Sequence, residues 1–440
     1  MASSLCRTML LVSLVGLAGC SGSRPKVQER GPLAVLTWMA GNSRNLDRQI
    51  VAEFTRRTGI AVRFVPAPES TSQQLAQEMT LLEHGSNAVD VFQVDTTSPA
   101  MVAAYMIDLK DVLASELSDE LPQAVENATI GGRVVAAPLF VEYGMLYYRT
   151  DLLKKYGFSR PPRTWNELEL ESSRIQQGER LRGHSDFWGY VWQGADYEGL
   201  TCNALEWQSS QGGGNPLEQD HTVNVDNPAA IRAFSRAARW VGTISPPGVV
   251  AYIEEDSRNI WQSGRAAFLR SWSYVYPLAK GSADVGGRFS VAPLPAGPAR
   301  RSSVLGGWYL GISKHARHRK EAVEFLRYML SRQVQSERAI KGAFLPAARS
   351  VYSDRAVLRA IPFVASMSSD MRDSIIRRPA SLVGARYGSV SRAYARGVHM
   401  ILTGKTTATE GAAGIQAELV RLTGFADRPQ QPGSASQELR

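Results

Sequence analysis

Two carboxylates and a group of aromatic residues are the side chains of this sequence whose positions suit chemistry. Asp95 ends the stretch "DVFQVD", and Glu142 sits in "APLFVEYG". Two carboxylic acids flanking a glycosidic bond are what glycoside hydrolysis needs, whereas the same groups used only as acceptors bind hydroxyls. The sequence leaves both uses open, and for Asp95 it also leaves open a plain helix N-cap. The stretch "SVLGGWYLGIS" sets Trp308 behind Gly306 and Gly307, and "RSWSYVY" crowds Trp272, Tyr274 and Tyr276 at alternate positions. A pyranose ring offers C–H faces to an indole and a rim of hydroxyls to polar groups. Glycines beside such a wall let a ligand or a facing lobe approach the backbone. Core packing is the competing use of each of these aromatics.

Other chemistries have weaker signals. Of the six histidines the closest pair, His315 and His318, lies in "KHARHRK". No Glu follows the first His and no cysteine cluster accompanies the pair, so a solvated helix start is expected and no metal site. "HMILTGKTT" ends in Gly404-Lys405-Thr406 like a phosphate loop, but His399 stands where that loop's first glycine belongs, and the preceding residues read as helix. No Gly-x-Ser-x-Gly elbow occurs. No cofactor is implied. The net charge is +9 with Lys and Arg scattered, which suggests a basic surface near anionic lipid and not a nucleic-acid face.

The elements that must hold these residues follow from periodicity. "LAVLTW" (Leu33 to Trp38) reads as a buried strand, and Asn45 to Thr58 places Leu46, Ile50, Val51 and Phe54 on one helical face before Gly59. "IAVRFV" alternates as a second strand, a helix carrying Leu75, Met79 and Leu82 follows, and "DVFQVD" is the third strand. This β-α-β-α-β order implies a parallel sheet, with ligands collecting at its carboxyl edge where Asp95 lies. Thr164 and Glu167 in "PPRTWNEL" form a helix-start capping box, Gly212 to Gly214 make a turn, and Asn227 opens an amphipathic helix to Val241. From Lys314 to about Thr423 the chain reads as mostly helical.

At 440 residues, two lobes are expected, with an ordinary composition of 44% hydrophobic and 21% charged residues. "MASSLCRTMLLVSLVGLAGC" is a signal peptide: a basic Arg7, an apolar run too short to span a bilayer, then Leu17-Ala18-Gly19-Cys20. That ending resembles the lipobox of bacterial lipoproteins, in which the cysteine, here Cys20, carries lipid. Residues 21–32 would then be a flexible tether. Loss of Arg7 takes the charge from +9 to +8, and Cys202 is left alone with no disulfide to make.

Several stretches together resemble one family. "FWGYVWQGADYEGLTC", "APLFVEYGMLYYRTDLLKKYGFSRPPRTWNEL", "VAPLPAG" and "LGGWYLGISK" are similar to the trehalose/maltose-binding lipoproteins of ABC importers, within the maltose-binding class of extracellular solute-binding proteins. The resemblance runs from about Ala34 to Gly424. It implies a periplasmic-binding-protein-like α/β fold of two discontinuous lobes, 33–141 plus 277–313 and 142–276 plus 314–424. Hinge crossings would lie near Val141 to Gly144, Tyr276 and Ser313, and residues 425–440 would form a disordered tail. It implies a monomeric, non-enzymatic receptor outside the cytoplasm that closes on a glucose disaccharide, trehalose or maltose, and passes it to a membrane permease. Another oligosaccharide, a glycerol-phosphate compound or a secreted glycosidase are the alternatives. By the resemblance, Asp95 and Glu142 accept sugar hydroxyls, Trp272, Tyr274 and Trp308 are aromatic walls beside Gly307, and Arg378 reaches in with Tyr387 nearby. Ser43 stands where relatives carry a glutamate and Phe140 where they carry a tyrosine, and both changes remove polar contacts to sugar.

Overall fold

The computed structural model of the chain describes residues 31–37, 43–364 and 374–428, with only the backbone of Ser43. Cys20 lies outside the described residues. Strand β1 (Leu33–Thr37) is buried along its whole length, as an apolar run covered on both faces should be. Helix α1 (Ser43–Thr58) buries Leu46, Ile50, Val51 and Phe54 on one face. Strand β2 (Val62–Pro66), helix α2 (Thr71–Glu83) and strand β3 (Val91–Asp95) follow. Strand β1 pairs in parallel with both β2 and β3, so the sheet expected from periodicity is present.

Strand β4 (Ala137–Tyr143) belongs to this first sheet, and β5 (Met145–Arg149), one residue later, to a second. Gly144 makes the crossing, because a Cβ there would overlap Glu206 Oε1. The second lobe continues with α3 (Trp165–Arg180), β6 (Trp188–Val191), α4 (Glu198–Gln211), α5 (Pro228–Trp240), α6 (Glu254–Gln262), β7 (Ala266–Ser271) and β8 (Phe289–Pro293). Its sheet runs β8-β5-β7-β6. Two of its helices are capped by the expected residues: Thr164 Oγ1 accepts from Glu167 N at 3.2 Å, though Glu167 reaches back to Arg163 N where a capping box would use Thr164 N, and the Asn227 side chain accepts from Ala229 and Ala230 N. Its core is aromatic, with Trp207 edge-on to Trp192 and to Trp240 at 4.9 and 5.6 Å.

The chain then returns. Strand β9 (Ser303–Ile312) enters the first sheet antiparallel to both β3 and β4. Helices α7 (Arg319–Leu330) and α8 (Arg332–Gly342) pack on that sheet's side, Phe325 and Tyr328 each lying 5.3 Å from Phe54 of α1. A short strand β10 (Ile375–Ile376) pairs with the start of β9. Helices α9 (Tyr387–Leu402) and α10 (Ala408–Thr423) end the described fold on the second lobe, Tyr394 donating to Gln208 Oε1 of α4 at 2.7 Å.

Three expectations need correction. Strand β8 lies within 277–313, expected in the first lobe, but it hydrogen-bonds to β5 of the second, so the return crossing falls between Pro293 and Ser303 and not near Tyr276. After Ser271 the chain turns and enters a helix at Val275–Lys280, which sends Tyr276 to Phe289 and Phe363. Helices α7 and α8, expected in the second lobe within 314–424, pack with α1 in the first. Ala426–Asp427, expected in the tail, pairs with Thr222–Val223. His318 also departs from a solvated face, since its Nδ1 lies 3.0 Å from Asp90 Oδ2 and the ring is mostly buried. No described helix is long and apolar enough to cross a membrane.

Candidate functional site

One wall of the site is built by β3, β4 and β9. Pairing sets Trp308 opposite Asp95 and Gly306 opposite Glu142, so an indole and two acids come to one sheet edge. Each glycine before Trp308 has a steric reason. A Cβ on Gly306 would stand 3.0 Å from the Trp272 ring, so this glycine admits an aromatic side chain of the other lobe. Gly307 has φ 125°, and a Cβ on it would overlap the Phe140 carbonyl and lie 2.9 Å from Val141 Cα. Gly307 therefore serves the neighbouring strand. The register of β9 against β4 shifts between Trp308 and Tyr309.

The opposing wall comes from the turn after β7. Trp272 Nε1 reaches Glu254 Oε1 at 3.5 Å, and Tyr147 Oη donates to the Trp272 carbonyl at 2.7 Å. The Arg270 guanidinium lies 4.0 Å from the centre of the Trp272 ring, a cation–π contact, and donates to both oxygens of Glu206 at 2.6 and 3.0 Å. Both partners of that ion pair are fully buried, and Glu206 Oε1 also accepts from Val304 N, so one pair ties α4, β7 and β9 together behind the wall. Tyr274 Oη donates to Glu255 Oε1 at 2.9 Å. Ser273 Oγ donates to Glu142 Oε1 at 2.9 Å across the hinge. Burial pushes the Glu142 carboxyl up to about 8, so at neutral pH it holds its proton.

Between the walls stands Arg378, from the loop after β10. Its guanidinium pairs with Asp95 Oδ1 of the first lobe at 3.2 Å and with Glu198 Oε1 of the second at 2.8 Å. Burial alone would lower its pKa, but the carboxylates of Asp95 and Glu198 more than reverse this and keep it charged. Tyr387 Oη donates to Glu198 Oε1 at 2.6 Å and Ser391 Oγ to Oε2 at 2.5 Å. The Glu198 N–H donates to Ser72 Oγ of α2 at 3.2 Å, a further contact from lobe to lobe. Beneath Arg378, burial pushes the Cys202 thiol up to about 12, so it is an inert neutral thiol.

A slot of about 40 Å³ is lined by Asp95, Glu142, Trp272, Tyr274, Gly307, Trp308 and Arg378. The structure thus brings seven of the nine expected site residues to one place. Tyr387 stands behind the slot and acts on it through Glu198. The side chain of Ser43 lies outside the description. Phe140, expected to alter sugar contacts, is buried with its ring 4.6 Å from Phe344 and 5.3 Å from the Arg338 guanidinium. It does not line the slot. Past Asp95, Glu198 and Trp308 the cleft widens into a chamber of about 150 Å³ under α2. Sequence reasoning missed Glu198 and Glu254, although Glu198 lies in "GADYEGLTC" as the first residue of a helix, where an acid is favoured. No group of residues that could hold a metal ion occurs among the described residues. The arrangement offers acids, one arginine fork and aromatic rings from two lobes.

Comparison with known proteins fits this geometry. Residues 40–336 match the family model described as bacterial extracellular solute-binding protein. A probable ABC transporter-binding protein of Deinococcus radiodurans is 38% identical over 374 residues, covering 84% of this chain and 89% of the relative. The maltodextrin-binding protein MdxE of Bacillus subtilis is 23% identical over 325 residues, covering 71% and 73%. Among solved structures, maltose-bound MalE3 of T. maritima superposes with a TM-score of 0.84 at 34% identity, covering 89% of this chain and 99% of its own. The acarbose-binding GacH receptor of Streptomyces glaucescens gives 0.78 at 23% identity, covering 90% and 100%, which shows the shared two-lobed fold. The chain belongs to the bacterial extracellular solute-binding proteins, and is a non-enzymatic receptor of the ABC importer class that acts outside the cytoplasm.

Proposed function

We propose that the chain binds an α-linked glucose disaccharide, trehalose or maltose, between its lobes and delivers it to a membrane permease. The observation that carries this reading is Trp308 in register with Asp95 on one lobe, facing Trp272 and Glu198 of the other. A sugar ring stacks on indole while its rim hydroxyls bond to carboxylates and to the Arg378 fork. The 34% identical MalE3 is a maltose complex, which supports the same ligand class. Glu69, Asp95 and Glu198 around the slot, against one arginine, oppose a phosphate-bearing ligand and favour a neutral polyol. In this reading Cys20 carries the lipid anchor, residues 21–32 are the tether, and the monomer works alone at the membrane surface.

Closure is a population shift. Sugar bridging both lobes stabilises the closed form by the contacts it makes only there. Calorimetric titration with trehalose, maltose, sucrose, glucose and glycerophosphocholine tests the reading, with recovered sugar analysed for cleavage. The expected result is one-to-one binding of trehalose or maltose, recovered intact. Binding of glycerophosphocholine alone, or of no sugar, contradicts it.

A further inference from the structure

The Arg270–Glu206 pair lies against the hinge as well as behind the aromatic wall. Arg270 spends its fork inside the second lobe, on both oxygens of Glu206 and, through Nη1, on Gln193 Oε1 at 3.3 Å. Gln193 Nε2 donates back to the Arg270 carbonyl at 2.9 Å. The guanidinium is thereby a fixed plate against the Trp272 ring. Two crossings of the chain between the lobes meet at this plate. At the first, a Cβ on Gly144 would overlap Glu206 Oε1 and stand 2.8 Å from Arg270 Nη2. Gly144 has no positive φ, so its missing side chain makes room for the pair and answers no backbone demand. Just after the second crossing, Val304 N donates to Glu206 Oε1 at 3.1 Å, and Ser303 Oγ donates to the Gly144 carbonyl at 2.8 Å, which joins the two crossings. Two residues further on, Gly306 admits the Trp272 ring. Gly306 and Trp308 share one face of β9, so Trp272 is seated one step along the strand from Trp308.

We propose that Arg270 and Glu206 are a positioning pair that forms the fixed point of the hinge: the β4–β5 crossing and β9 turn on it, and through Trp272 it sets the spacing of the two aromatic walls as the lobes close. Neither residue lines the slot, so the pair acts through Trp272 and not on the ligand. The proposal rests on the receptor reading and deepens it. A variant without the fixed point still meets its sugar at the open cleft but holds it less long, because the walls no longer close at one spacing.

The test compares wild type, Gly144→Ala and the double variant Arg270→Met with Glu206→Leu, beside a melting curve for each. Energy transfer between dyes on unnatural amino acids at Val112 of the first lobe and Leu181 of the second, both exposed, reads the lobe separation. Stopped-flow mixing with trehalose or maltose reads the rates. Without sugar, both variants should show a spread of separations about twice that of wild type or more, and with sugar a dissociation rate raised about tenfold while association changes less than about threefold. Gly144→Ala keeps both charges and decides the matter should the double variant fail to fold. Wild-type spread and rates in the folded variants overturn the proposal. Losses that follow the fall in melting temperature make the pair plain scaffold and overturn it too. A wild type that binds neither sugar overturns the glucoside reading instead, and the sugar-free spread then decides the hinge: a wild-type spread in the variants overturns the fixed point, and a broadened one supports it.

Discussion

At the scale of single residues, the charges in the cleft have two different jobs. Arg270 and Glu206 are fully buried, satisfy each other with two hydrogen bonds and carry the Trp272 ring. Removing one partner of such a pair strands a buried charge, so Arg270→Met should cost about 3–5 kcal/mol in urea unfolding. The double change Arg270→Met with Glu206→Leu should recover most of that loss. A single variant as stable as wild type would show the pair to be idle. Arg378 is placed otherwise, between carboxylates of both lobes that also line the slot. Arg378→Lys keeps the charge and loses the planar fork, so sugar affinity measured by calorimetry should fall at least tenfold. Full retention of affinity would show that a point charge suffices there.

At the scale of elements, β9 carries the site because its two glycines answer to different neighbours. Gly307→Ala meets both a positive φ and the β4 backbone, so it should lower stability by about 1–3 kcal/mol or more. Gly306→Ala presses on the Trp272 ring, which can shift, so it should cost less stability and more sugar affinity. Denaturation and titration of the two variants separate these effects, and a reversed order would contradict the assignment. The early elements β1 to β3 were legible because period-two and helical patterns are local. The partner of β8 was not, since Phe289–Pro293 reads the same whichever sheet receives it. Helix α2 was expected to carry Leu75, Met79 and Leu82; Leu82 is buried and the other two are partly buried against the core, but the structure also buries the polar Gln74 and Glu78, which the pattern did not signal. Asp95, Glu142, Trp272, Trp308 and Arg378 were legible through likeness to sugar receptors, whereas Glu198 was not singled out, since an acid at a helix start is favoured by the helix dipole with or without a ligand.

At the scale of the whole molecule, buried acids couple folding to pH. Burial pushes Glu78, Glu120 and Glu142 each up to about 8, against about 4.3 for a free glutamate. Between those values the folded chain binds more protons than the unfolded one, so stability is full at the acid end and is lost as pH rises through 8. Burial would also raise Asp90 and Asp151, but hydrogen bonds hold both below the usual range, and they act only under about pH 4. The melting temperature should therefore fall from pH 5 to pH 9, and less steeply in Glu142→Gln. A flat or rising profile would contradict this. The slot of about 40 Å³ is far below the ~300–1,000 Å³ typical of ligand clefts, so entry of a disaccharide requires the lobes to part and Arg378 to yield one of its carboxylates. The most direct measurement is a crystal structure of the protein grown with trehalose or maltose. The account predicts a glucosyl ring within ~4 Å of the Trp308 indole, with hydroxyls bonded to Asp95 of one lobe and Glu198 of the other. A sugar held by one lobe alone, or seated away from Trp308, would contradict it.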